Sequence, residues 1–175
     1  MNYATIKKCD IANGEGVRVS LFVSGCTHHC KNCFNQVAWD FNYGAPFTEL
    51  TEEEIFKELD LDYVNGLSLL GGEPFEPQNQ RGLIGFVRRV KEKYPNKNIW
   101  CYTGYTYDEK SGRLCEENKN CEVTEELLSL IDVLVDGAFV EELKDISLAF
   151  RGSSNQRIID MNATRKSNSV VLYLK

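Results

Sequence analysis

Four short apolar runs recur along the chain, and each closes on a polar or glycine-bearing corner: Val17 to Val23, Gly66 to Leu70, Ile99 to Tyr102 and Asp132 to Asp136. Runs of this length bounded by turn residues predict buried strands. Between them the period changes to that of a helix. Thr51-Glu52-Glu53-Glu54 predicts a helix start, with Thr51 as N-cap and Glu54 closing a capping box, and Ile55, Phe56 and Leu59 supply its apolar face. Leu83, Phe86, Val87, Val90 and Tyr94 follow at helical spacing until Pro95-Asn96, and Leu127, Leu128 and Ile131 follow the acidic start Thr124-Glu125-Glu126. Ile11 to Gly16 reads as a turn, Asn35 to Asp40 as a short helix, and 157–160 and 169–174 as two last strands. Asp108 to Cys121, with Leu114 its one large aliphatic, reads as a polar surface loop or insertion. Alternating strands and helices predict an α/β fold, a single domain over 1–175 with a mostly parallel sheet and right-handed crossovers. Periodicity alone leaves a partial barrel and an open doubly wound sheet both standing.

Ligands of parallel α/β folds collect where strands end, so the corners at Gly25, Gly71, Thr103-Gly104 and Asp136-Gly137 converge on one expected site. The first corner carries the densest chemistry. Cys26, Cys30 and Cys33 are spaced Cys-x3-Cys-x2-Cys on one loop leaving a strand. Iron–sulfur cubanes take four thiolates as a rule, so three leave one iron open, in the way catalytic zinc sites keep a vacant position. Three cysteines with His28 or His29 also fit a zinc site by residue type, although adjacent histidines do not readily reach one ion. A zinc-stabilised binding module and a simple electron carrier therefore stay open at this point.

Composition narrows the classes further. The chain has 175 residues, 42% apolar and 26% charged, as a soluble globular domain does. A net charge of −6 argues against non-specific nucleic-acid binding. The start of the sequence has no apolar run of signal-peptide type and no stretch reaches membrane-spanning length, so a cytoplasmic location with no membrane contact is expected. Seven cysteines then read as reduced ligands and free thiols, with Cys9, Cys101, Cys115 and Cys121 in the second group.

The Cys26 to Cys33 loop resembles that of the radical S-adenosylmethionine enzymes, and Cys33-Phe34-Asn35 with Trp39-Asp40 resembles the branch that installs glycyl radicals. Asp10-Ile11-Ala12-Asn13-Gly14, Asp136-Gly137-Ala138-Phe139 and Arg151-Gly152-Ser153-Ser154-Asn155-Gln156 resemble segments of the anaerobic ribonucleotide reductase activating proteins, so the likeness covers most of the chain. It implies a partial (βα) barrel, a [4Fe-4S] cluster on Cys26, Cys30 and Cys33, and bound S-adenosyl-L-methionine. Gly71, Gly72 and Glu73 would meet the methionyl ammonium, glycines permitting close approach and a carboxylate matching the positive amine. Asn32, Cys33 and Phe34 would pass the adenine, with a core position as the other reading for Phe34. Thr103, Gly104 and Asp136 would be further cofactor-contacting strand ends.

The chain departs from the family at two places: many members have an aromatic residue where Asn32 stands, and related chains carry lysine where Ala138 stands. No side chain is assigned a catalytic part. Arg151 to Gln156 either support a peptide or tie a loop to a strand. The implied partners are the large glycyl-radical subunit of anaerobic ribonucleoside-triphosphate reductase and an electron donor such as reduced flavodoxin. A pyruvate formate-lyase activator-like or deazaguanine synthase-like radical enzyme is the nearest rival.

Overall fold

The computed structural model describes residues 1–174. In chain order the strands and helices are β1 (Asn2–Asp10), β2 (Arg18–Val23), β3 (Ala45–Pro46), α1 (Glu49–Leu59), β4 (Gly66–Gly71), α2 (Pro77–Lys93), β5 (Asn98–Tyr102), β6 (Tyr107–Asp108), β7 (Arg113–Leu114), α3 (Thr124–Leu130), β8 (Val133–Asp136), β9 (Arg157–Asp160), α4 (Met161–Ser167) and β10 (Leu172–Leu174). Eight strands form one sheet in the order β10-β9-β8-β5-β4-β2-β1-β3. Its middle, β2-β4-β5-β8, is parallel and consists of the four strands expected from the apolar runs. Each crossover carries a helix, α1, α2 or α3, because parallel neighbours cannot be joined by a tight turn.

A mostly parallel sheet is corrected at both flanks. β1 runs antiparallel to β2 and β3, and β9 runs antiparallel to β8 and β10. β1 returns into β2 through the short Ile11 to Gly16 turn, where Gly14 and Gly16 take φ of +120° and +78°, and a connection that short permits only antiparallel pairing. The hydrogen-bonded sheet is open, with β3 and β10 at its edges. The start of α1 also moves: Thr48 is the N-cap, its backbone N–H donating to Thr51 Oγ1 at 3.2 Å, so Thr51 fills the inner place of the capping box. Glu54 pairs instead with Lys8 at 3.1 Å. The 108–121 segment is partly ordered by the β6–β7 pairing, with Leu114 buried.

Strand alternation sorts the sheet into two faces. Val19, Leu21, Val23, Leu67, Leu69, Ile99, Cys101 and Leu134 pack with Ile55, Leu83, Phe86, Val87 and Leu127 of the helices in one core. The opposite face is aligned in rows: Ser20 stands beside Ser68, Ser68 beside Trp100 and Trp100 beside Val133. A second cluster of Trp100, Val133, Val135 and Ile158 sits there.

On this second face Arg18 is fully buried and has no carboxylate against it among its hydrogen-bond partners. Its guanidinium donates to Ser68 Oγ (2.6 Å), Asn98 Oδ1 (2.8 Å) and the carbonyls of Glu15, Leu67 and Asn98, and lies over the Trp100 ring. Burial pulls its pKa down to about 10, which leaves it charged at neutral pH. Arg18→Met takes a donor away from two buried acceptors, Ser68 Oγ and the Leu67 carbonyl, and from the half-buried Asn98, each buried group costing about 1–3 kcal/mol when left short of a partner. A stability loss of about 3 kcal/mol or more is expected in urea denaturation, and a loss below about 1 kcal/mol would show that the network contributes little.

Candidate functional site

The corners after β2 and β4 are stitched together by backbone. Gly72 N donates to the Val23 carbonyl at 2.7 Å and Glu73 N to the Gly25 carbonyl at 2.8 Å. The cysteine loop closes on itself where Gly25 N meets the Ala38 carbonyl (2.8 Å) and Cys26 N meets the Trp39 carbonyl (3.2 Å). Glycine is required at this junction. A Cβ on Gly72 would stand 2.6 Å from the Gly25 oxygen, and Gly71, at φ +113°, would put one 2.6 Å from Val23 N. Asn79, fully buried in the first turn of α2, donates to the carbonyls of Ser24 and Glu73, each at 2.9 Å, and so ties both corners to the helix.

The strand ends surround a cleft of about 560 Å³. Ten of the residues expected from sequence line it: Cys26, Cys30, Asn32, Cys33, Phe34, Gly71, Gly72, Glu73, Thr103 and Gly104. Phe22, Leu70 and Tyr102 line its apolar part, and the far wall is the segment from Phe139 to Gln156. Phe34 is 93% exposed, which overturns the core reading for it. Asn32 holds φ +57°, a left-handed conformation that asparagine tolerates better than an aromatic residue does.

Asp136 does not line the cleft. Its carboxylate is bound by both forks of Arg157, with Nε at 2.9 Å, and accepts from Tyr107 N at 2.8 Å. The cleft wall at this corner is Gly137, in a left-handed conformation. Gln156 Nε2 donates to the Gly137 carbonyl at 3.0 Å, and Gln156 Oε1 accepts from Gly152 N and Ser153 N. The 151–156 segment thus ties a loop to a strand end. Arg151 donates to the Gln156 carbonyl at 2.9 Å and also lines the cleft.

The three cysteines are free thiols, Cys26 buried and the others half-buried. Burial, with the Glu73 and Glu76 charges adding to it, pushes Cys26 up to about 12, and burial followed by Cys33 raises Cys30. Such thiols keep their protons at neutral pH until a metal displaces them. Among the described residues no three His, Cys, Asp or Glu side chains gather around a single ion. A cubane does not require that, because each thiolate takes its own iron.

Both histidines are already engaged. His28 Nε2 faces Glu73 Oε2 at 2.8 Å and its ring packs on Tyr105 at 4.2 Å, while His29 packs on Trp39 at 4.4 Å. Burial works against a charge on His28, but the Glu73 carboxylate outweighs it and the pKa is raised. A fourth zinc ligand from this pair would have to leave those partners.

Glu73 is 1% exposed, and its carboxylate accepts from Phe75 N, Gly104 N (2.8 Å each) and faces His28. A carboxylate offers about four lone-pair sites, so about one stays free for a ligand. A Cβ on Gly104 would lie 2.6 Å from His28 Nε2, so a side chain there would push the His28 ring off its Glu73 partner. The donor set and the cradle fit an iron–sulfur cluster with a small polar ligand beside it: three soft sulfurs on one wall, and glycine corners leaving space on the other.

Sequence reasoning passed over Glu76, Asn79, Tyr105, Lys119 and Arg157. Asn79 and Glu76 flank a proline at a helix start and look like surface polar residues. The one sequence signal that points to Glu76 is its closeness to the Gly71-Gly72-Glu73 motif.

Residues 12–159 match the family model described as a 4Fe-4S single cluster domain. The anaerobic ribonucleoside-triphosphate reductase-activating protein of Haemophilus influenzae is 44% identical over 160 residues, covering 90% of this chain and 97% of that protein. Its Escherichia coli (strain K12) counterpart is 43% identical over 158 residues, 89% of this chain and 96% of that protein. The protein of the same name from Enterobacteria phage T4 is 40% identical over 158 residues, 90% and 93% of the two chains.

Proposed function

The chain belongs to the family of anaerobic ribonucleoside-triphosphate reductase-activating proteins and carries its 4Fe-4S domain, and from that membership we propose that it is a radical S-adenosylmethionine enzyme acting on the large reductase subunit. One observation carries the reading: three free thiols on a single strand-end loop share a cleft with a Gly-Gly-Glu corner bonded directly to that loop.

Cys26, Cys30 and Cys33 would hold the cluster as thiolates, and three sulfurs would leave one iron to an exogenous ligand. When bound there, the cluster and S-adenosyl-L-methionine would supply reductive cleavage of the sulfonium carbon–sulfur bond, using one electron from the external donor, and through it the removal of a hydrogen atom from a glycine Cα of the partner subunit. The chain's own residues bind, orient and shield. Gly71 and Gly72 keep the β4 corner against the cysteine loop, and the remaining lone pair of Glu73 is an acceptor for the methionyl ammonium. Thr103 and Gly104 form the next wall, and Asn32 and Phe34 the lip on the adenine side. Asp136 acts from behind, fixing Tyr107 and Arg157 so that Gly137 faces the cleft. Phe22 and Leu70 keep competing water from the floor. The four parallel strands serve as the partial barrel of that superfamily. Among the described residues no helix is long and apolar enough to cross a membrane.

The test is anaerobic incubation of the cluster-loaded protein with S-adenosylmethionine, a low-potential reductant of the reduced-flavodoxin type, and the cognate large reductase subunit. A glycyl doublet in the electron paramagnetic resonance spectrum is expected, with 5′-deoxyadenosine formed alongside. No doublet with the cognate subunit would defeat the reading.

A further inference from the structure

The polar 108–121 segment does not line the cleft, yet it sends one cation inward. Lys119, with a side chain 18% exposed, donates to Glu76 Oε2 at 3.0 Å and to Thr27 Oγ1 at 2.7 Å, and lies over the Tyr105 ring. Its own carbonyl is held by Gln80 of α2 at 2.8 Å. Glu76 is 2% exposed at the N-cap of α2. Its Oε1 accepts from Thr27 N (3.0 Å), Thr27 Oγ1 (2.5 Å) and Tyr105 OH (2.7 Å). Thr27 directly follows Cys26. The first turn of the cysteine loop therefore hangs on one buried carboxylate, which Lys119 alone neutralises by contact among the described residues.

We propose that Lys119 is a positioning residue for the cysteine loop, holding Glu76 against Thr27 and cancelling its charge beside the cluster. This rests on the cluster reading above. A buried charge without its partner is poorly tolerated. The three Thr27 and Tyr105 donors keep Glu76 ionised when the lysine is gone, since each hydrogen bond favours the charged form. Without Lys119, an uncancelled negative charge stands beside a centre that must accept an electron, and reduction becomes harder. The pull of Lys119 on Thr27 Oγ1 is lost as well, so the loop start opens more often. The polar segment thus acts as a strap whose working group is one ammonium.

Lys119→Met, Lys119→Arg and the neutral pair Glu76→Gln/Lys119→Met are compared with the unaltered chain by two readouts. The first is hydrogen exchange of the Thr27 amide in cluster-free protein. The second is the cluster's midpoint potential from a redox titration followed by electron paramagnetic resonance. Lys119→Met is expected to exchange at least about tenfold faster at Thr27, the signature of a weakened local closure. At fixed poise its ratio of reduced to oxidised cluster is expected to fall about tenfold, which is ~59 mV for one electron. Lys119→Arg keeps both properties, and the neutral pair recovers the potential because the local charge is again cancelled. With a cluster bound, either readout unchanged in Lys119→Met overturns the proposal, as does failure of the neutral pair to recover the potential. If the unaltered chain takes up no cluster, the proposed function fails instead. Thr27 exchange in the cluster-free protein then decides the positioning role by itself.

Discussion

Cys33→Ala loses cofactor cleavage, by about three orders of magnitude or more, while the fold survives. A rate change of that size corresponds to about 4 kcal/mol of lost transition-state stabilisation. Cys33 is half-buried on the cleft wall and its thiol has no hydrogen-bond partner among the described residues, so removing the sulfur costs the core little. It does remove one of only three protein sulfurs available to the cluster on this loop, and no fourth sulfur in the loop can replace it. Anaerobic 5′-deoxyadenosine formation, read beside the thermal transition of the metal-free protein, checks both halves. Full activity in the variant would contradict the ligand assignment. Cys9→Ala is the control, since Cys9 is exposed on β1 and does not line the cleft.

Gly71→Ala is the second large effect, and here stability and site fail together. The position sits at φ +113°, where an L side chain is strained, and the added Cβ would press on Val23 N and Phe22 backbone at 2.6–2.7 Å. Backbone cannot swing aside as a flexible side chain can. Strain of about 1–3 kcal/mol from the dihedral, with a steric cost added, predicts a loss of about 3 kcal/mol or more. S-adenosylmethionine affinity falls with it, because the same contact sets the Gly72-Glu73 corner against the cysteine loop. Gly112→Ala separates the two causes: φ is +69° there but nothing lies within 4 Å of the new Cβ. Its expected loss is about 1–2 kcal/mol from conformation alone. Urea denaturation of the pair measures the difference, and equal losses would mean that the close approach at Gly71 is not limiting.

The parallel strands and the cysteine loop were legible because their signals are local. Val19, Leu21 and Val23, Leu67 and Leu69, and Val133 to Val135 are short apolar runs ended by glycine, and Cys26, Cys30 and Cys33 lie within a few residues of one another. β1 escaped because Thr5, Lys7, Lys8 and Cys9 are exposed and fall on both faces of the strand, so no alternation of apolar and polar residues shows in its sequence. α4 escaped because seven residues are too few for a helical period to show, although Asp160 caps it by accepting from Ala163 N at 2.8 Å. The site was read as contacts to a cofactor, whereas several of its residues hold one another. Glu73 binds Gly104 and His28, Asp136 binds Arg157, and Glu76 binds Thr27 and Lys119 across separations of 21 to 49 residues. Partners so far apart leave no local pattern. A carboxylate at a strand end looks the same in sequence whether it faces a ligand or an arginine.

An open iron position beside three cysteine sulfurs is the claim on which the rest depends, and anaerobic reconstitution tests it directly. The reduced protein is examined by electron paramagnetic resonance before and after adding S-adenosylmethionine, with metal and sulfide analysed in the same sample. About four irons and four sulfides per chain are predicted, with a cluster signal that changes shape on addition of the sulfonium compound and loses that response in Cys33→Ala. Zinc in place of iron, or a cluster signal indifferent to S-adenosylmethionine, would contradict it.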